Sequence, residues 1–308
     1  MEAAIILARL AQYLGAATLF GTPLFLAYAF PPGVTAQQAS LAWGRPLAGA
    51  AALVVLVGSV AYLCAQTAMM AGDPAAAWDP ATLASVLTDS AMGFAIIARA
   101  VAAGLALLSV MALKPGPTLW RLLAALGVVA LMSFAWTGHG AAGQGPGGWV
   151  HLVADLLHLA AAGFWIGALI AFAALLARPG QIEEPAAKAL QDALAGFAGT
   201  GSAVVAVLVA TGVANSWFLV GPARLGGLFT TPYGLVLLAK LAVFAGMIGL
   251  AARNRFTHTP ALEAALAGQP IVPALRALRA SVFLEAALGL AVLALVAVLG
   301  MLEPIAAQ

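Results

Sequence analysis

Trp149-Val-His-Leu-Val-Ala-Asp-Leu-Leu-His-Leu-Ala-Ala-Ala-Gly-Phe-Trp-Ile-Gly167 is an apolar run long enough to cross a bilayer as a helix, and three ionisable side chains interrupt it. His151, Asp155 and His158 follow one another at i, i+4 and i+7. At 100° per residue they fall within about 60° of one another, on one helical face. Facing lipid, that stripe would be costly, so the run predicts a membrane helix with a functional face. Imidazole and carboxylate together are donors that transition metals accept, and the stripe reads as a metal site.

The rest of the chain agrees with a membrane fold. Of its 308 residues 64% are hydrophobic and 8% charged, against roughly 45–50% and about 25% in soluble domains. Eight apolar runs are long enough to span, near 5–29, 47–70, 90–113, 119–138, 150–177, 194–220, 233–252 and 281–302. The expectation is an all-α polytopic bundle forming a single transmembrane domain over 1–308. Its longest connection, Arg253 to Ala280, is too short for a soluble domain. Apolar residues at helical spacing there, with Arg276 and Arg279, fit short interfacial helices or a solvated linker. Met1-Glu2 lacks the basic start of a cleaved signal, so the first run is expected to persist as a helix.

Charge sets the expected orientation. Arg45, Lys114, Arg121, Arg178, Lys188, Arg253, Arg255, Arg276 and Arg279 lie in or beside the odd connections, whereas Arg224 alone lies in the even ones. Basic residues gather on the cytoplasmic side, which predicts both termini in the periplasm and His151 at the outer membrane face. The net charge of +2 is spread along the chain and gives no nucleic-acid surface. Cys64 is the only cysteine, so an intrachain disulfide and any CxxC motif are excluded. Neither a P-loop nor an ATPase phosphorylation motif is present, which argues against an ATP-driven pump and gives no sign of an enzyme.

A metal would therefore be held by His, carboxylate or Met. His139, in Thr137-Gly-His-Gly140, precedes the ligand helix by a short glycine-rich loop and is its nearest candidate partner. His151 and His158 are separated by a rise of about 10 Å, a stretch for one shared ion. Two arrangements follow: His139, His151 and Asp155 at the mouth, or Asp155 and His158 deeper with a residue from another helix. Asp155 also fits the role of acceptor orienting a ligating imidazole. Met69, Met70, Met92 and Met132 are additional soft donors suited to Cu(I), although methionine is also a common apolar filler. Asp89, Arg99, Lys240 and Glu285 are intramembrane charges expected to pair or to line a path. The candidate couples are Asp89 with Arg99, Asp155 with Lys240, and Glu285 with Arg45, Arg276 or Arg279. Arg9 reads as snorkelling to the headgroups, and His258 as a surface residue. Gly163 and Gly167 form a GxxxG pair more than about 90° from the ligand stripe, on a packing face. Trp165 lies under the stripe as its floor.

On these residues the chain resembles the CopD/PcoD family of bacterial copper-resistance membrane proteins. The likeness is carried by Thr137-Gly-His-Gly140, by His151, Asp155 and His158 with Gly163-Phe-Trp-Ile-Gly167, and by Thr231-Pro-Tyr-Gly234 with Lys240. Asn254-Arg255, Glu285 and Tyr13-Leu-Gly-Ala-Ala17 with Phe20-Gly21 add to it. The resemblance implies an eight-helix inner-membrane protein that moves copper, as Cu(I) or Cu(II), from periplasm to cytoplasm through outward-facing histidine ligands. It further implies delivery by a separate periplasmic CopC-like chaperone. The competing expectation is a membrane redox protein whose histidines bind haem b.

Overall fold

A computed structural model describes residues 1–30, 41–138, 140, 145–177 and 182–308. The described residues are helical with no strand, and eight helices are long and apolar enough to span a membrane. They are α1 (Glu2–Ala29), α2 (Gly44–Ala71), α3 (Ala91–Ala112), α4 (Pro117–Trp136), α5 (Gly145–Leu175), α6 (Glu184–Leu219), α7 (Pro232–Leu266) and α8 (Ile271–Leu299). An even number of spans leaves both termini at one end of the bundle, called here the terminal face.

Packing centres on α1, which touches α2, α4, α5 and α8, while α5 pairs with α6 and α7 with α8. Lipid supplies no hydrophobic drive between helices, so close approach depends on small side chains. Ala16 and Ala17 of α1, Ala51 and Ala52 of α2, and Ala102, Ala103 and Ala106 of α3 are buried in the core. Among the described residues, α1 and α5 approach closely through glycines. A Cβ on Gly21 would meet Gly163 and Gly167, one on Gly167 would meet the Gly21 backbone, and Thr22 Oγ1 donates to Gly167 O at 2.8 Å. The GxxxG face is thus filled by α1. Large apolar residues such as Leu53, Val57, Phe94, Leu108 and Trp217 stay on the outside, as lipid contact requires.

Two helices run further than apolar runs alone indicate. The amphipathic start of α6 is held by the ion pair of Lys188 with Asp192, one turn apart. Helix α7 does not end at Arg253. It widens to a π turn over Asn254–His258 and continues through Thr259–Leu266, leaving only residues 267–270 before α8. Pro260 lacks an N–H and would break a regular helix there; the wide turn before it accommodates the missing bond. The long connection expected between 253 and 280 is therefore mostly helix continuous with α7 and α8, including the short helix Thr259–Leu266 that the apolar spacing suggested. His258, expected at the surface, is buried at 7% exposure.

The charges of the first four helices also differ from expectation. Asp89 is exposed at the end of the short helix Pro80–Thr88, accepting from Ser85 Oγ at 3.0 Å and Thr88 Oγ1 at 2.8 Å. Ser90 caps α3 just beyond it, so Asp89 falls outside the membrane helix and makes no couple with Arg99. Arg99 is fully buried. Its guanidinium donates to Gln12 Oε1 (2.6 Å), Ser133 Oγ (2.9 Å) and Thr137 Oγ1 (3.3 Å) and lies 3.7 Å over the Phe134 ring. Arg9 does not snorkel. It is 5% exposed, donates to the Thr137 carbonyl and lies over Tyr62, so its side chain is turned into the bundle. Arg99→Lys keeps the charge but loses the fork that spans three helices. Thermal unfolding of the purified protein should show a loss on the order of 1–3 kcal/mol, from polar groups left buried and unmatched.

Candidate functional site

The polar stripe of α5 packs on α6, and the two helices are antiparallel neighbours. The His151 ring stacks on Phe218 with centroids 4.9 Å apart and planes at 16°. Asn215 Nδ2 donates to Asp155 Oδ1 at 3.5 Å. His158 Nδ1 lies 2.9 Å from Thr211 Oγ1. On α6 the partners recur at 211, 215 and 218, the same i, i+4, i+7 spacing as 151, 155 and 158 run in reverse. The site is a ladder of three rungs. Its α6 half was not among the sequence candidates, since Thr211, Asn215 and Phe218 carry no charge; the matching four-then-three spacing was the available signal.

Two features of the ladder suit it to a cation. Thr211 Oγ1 donates its single proton to Val207 O at 2.6 Å, so toward His158 it accepts. That places the imidazole proton on Nδ1 and the lone pair on Nε2, the arrangement by which a ligating histidine is oriented by a polar neighbour. One rung up, Asn215 Oδ1 is buried with no hydrogen-bond partner, an acceptor beside a carboxylate. The Asn215 Nδ2 meets the carboxylate, so the buried Oδ1 is left as an acceptor that a cation could satisfy.

Asp155 is enclosed from three further directions. Gly140 lies against its carboxylate so closely that any Cβ there would collide with it, which explains why Thr137-Gly-His-Gly140 ends in glycine. Lys240 and Tyr233 of α7, and Tyr13 of α1, all lie within electrostatic range of it. Thr231 caps α7 by accepting from Gly234 N at 3.0 Å, and Gly234 is pressed against the backbone of Gly227 and Leu228. The Thr231-Pro-Tyr-Gly234 motif thereby fixes the start of α7. Tyr233 and Lys240, seven residues apart, then share one face. Lys240 is also within electrostatic range of His158, so its amine lies near both lower rungs.

The remaining candidates lie elsewhere. His139 falls outside the described residues. Met69 and Met92 pack against Ile5, Ala8, Tyr62 and Ile96, with Tyr62 Oη donating to Met92 Sδ at 3.8 Å. Met132 lines an apolar groove with Phe94 and Trp136, and Met70 is exposed. Glu285 meets none of Arg45, Arg276 or Arg279. It is 2% exposed and accepts from Trp165 Nε1 at 3.0 Å and Asn254 Nδ2 at 2.8 Å. Trp165, one heptad below His158 and edge-on to Phe244, therefore connects the ladder's helix to a second carboxylate. Among the described residues no three His, Cys, Asp or Glu side chains converge on one point, so an ion at the ladder would need the neutral donors as well.

Comparison with known proteins gives a consistent picture. The family described as copper resistance protein D-like, N-terminal domain matches residues 1–149, and that described as copper resistance protein D matches residues 191–299. The copper resistance protein D of Pseudomonas syringae pv. tomato is 37% identical over 300 residues, covering 96% of this chain and 95% of that protein. The copper transport protein CutJ of Bacillus subtilis (strain 168) is 30% identical over 122 residues, 40% of this chain and 21% of that protein. No solved structure matches the chain.

Proposed function

The chain belongs to the copper resistance protein D family, and on that premise we propose that it carries copper across the bacterial inner membrane, from periplasm to cytoplasm, without catalysing a reaction. The observation that carries the reading is the ladder between α5 and α6, which sets an ionisable carboxylate, the His158 imidazole and the amide of Asn215, with its unpartnered Oδ1, on successive rungs. The distribution of Lys and Arg supports a periplasmic terminal face, which puts His151 at the mouth and His158 below it. His139, one residue before Gly140, is a further donor in this proposal. The four methionines lie away from the stripe, so the donors are nitrogen and oxygen, a set better suited to Cu(II) than to Cu(I). A separate periplasmic CopC-like chaperone would supply the ion.

Asp155 binds copper with the Lys240 side chain within electrostatic range, although the two form no ion pair in the structure. Nothing among the described residues favours the haem reading: His151 and His158 share one helix rather than face one another, and the His151 ring already lies against Phe218. The test is copper accumulation in cells and in proteoliposomes containing the purified protein. His158→Ala should lower accumulation to the level of cells or liposomes without the protein. Accumulation unchanged at matched protein levels would overturn the proposal.

A further inference from the structure

The end of the bundle away from the termini holds a second polar cluster that the ladder does not use. Asn254 and His258 lie about one turn apart on α7, and Ser281 and Glu285 one turn apart on α8. The two helices are antiparallel, and the hydrogen bond from Asn254 Nδ2 to Glu285 Oε2 at 2.8 Å fixes their register. Four residues onward in α7 and four back in α8 bring His258 level with Ser281. All four side chains are more than nine-tenths buried, at 8% (Asn254), 7% (His258), 6% (Ser281) and 2% (Glu285) exposure.

Buried polar groups are ordinarily satisfied, and leaving one unsatisfied costs about 1–3 kcal/mol. Here Asn254 Oδ1, His258 Nε2 and Ser281 Oγ each have no hydrogen-bond partner. Among the described residues Glu285 accepts from the neutral Trp165 and Asn254 and has no guanidinium or ammonium against its carboxylate. Of the neighbouring cations, Arg255 donates to Ala198 O and Ser202 Oγ on α6 and Arg279 lies over Phe283, while Arg253 lies within electrostatic range of His258 without pairing to Glu285. The cluster thus collects an imidazole nitrogen, an amide oxygen, a hydroxyl and a carboxylate, and among the described residues its carboxylate has no ion-pair partner. The π turn of α7 falls on Asn254–His258 itself, and such turns recur at functional sites.

We propose that Asn254, His258, Ser281 and Glu285 form a second cation site, for a divalent transition-metal ion. One nitrogen and three oxygen donors, with no sulfur, suit Cu(II) among the forms of copper. Trp165 places this site one heptad, about 10 Å, beyond His158 along α5, through its bond to Glu285. Its position as an onward step for copper rests on the transport reading; its chemistry does not.

The test is Cu(II) titration of the purified full-length protein, followed by electron paramagnetic resonance. The wild type should bind two ions. His258→Gln should remove the imidazole-nitrogen couplings of one ion and leave the other intact. Ser281→Ala, a small change expected to fold, should weaken that same ion about 10–100-fold, the range for loss of a supporting ligand contact. His158→Ala should remove the other ion alone. Wild-type stoichiometry and spectra in both His258→Gln and Ser281→Ala would overturn the second site. Uptake is measured separately: two-site binding without uptake sinks the transport reading and leaves this site standing, whereas normal uptake with unaltered binding in both variants sinks the site alone.

Discussion

Cells producing Asp155→Asn should accumulate copper no faster than cells without the protein. The substitution keeps the shape of the side chain and leaves room for Gly140, so the helices should pack as before. What disappears is the only negative charge on the ladder. At 4 Å and the effective dielectric that describes protein sites best, a unit charge is worth about 4 kcal/mol for each unit of charge on the cation. That is on the order of a thousandfold in affinity. Lys240 would remain, a positive charge facing two neutral amides and opposing any arriving ion. Lys240→Met in the same background separates the two effects: it should restore part of the binding if repulsion contributes, measured as Cu(II) affinity of the purified protein. Asp155→Asn with wild-type accumulation would remove the carboxylate from the transport path.

Gly167→Leu should leave almost no monodisperse protein after purification. A Cβ at this position already collides with the Gly21 backbone, and a leucine adds three further carbons into that close contact of α1 with α5. Adding methylenes to a packed core costs about 1–3 kcal/mol when the surroundings can shift; here the obstacle is backbone, which shifts only with the whole helix. Because α1 also contacts α2, α4 and α8, moving it disturbs most of the bundle. The Thr22 bond to Gly167 O would be lost with the same displacement. Gly199→Leu is the control, since a Cβ there meets nothing within 4 Å and the variant should purify and melt like the wild type.

The contrast between α5 and its neighbours explains what could be seen from residues alone. A stripe on one helix obeys a period, so His151, Asp155 and His158 were legible together, as was the GxxxG face opposite. Its partners belong to another helix and carry no charge, and in a chain 64% hydrophobic a threonine, an asparagine and a phenylalanine attract no notice. Arg9 was misplaced for a related reason. Depth along a helix can be counted, but whether lipid or another helix lies beside it depends on the assembled bundle. The ends of α6 and α7 were lost because the search for apolar runs discards charged turns. Lys188 and Asp192 satisfy each other, and Asn254, Arg255 and His258 look like a solvated loop until the helix is seen to continue through them.

The wide turn of α7 has one more consequence, for the tolerance of the chain to changes in length. A π turn holds one residue more than the α turn it replaces, so it stores slack that the rest of the helix lacks. Deleting a residue within 254–258 would let the turn relax to ordinary α geometry, while the segment from Thr259 onward kept its seat against α8. A deletion near Lys240 has no such reserve. It would rotate everything beyond it by about 100° and turn Asn254 away from Glu285.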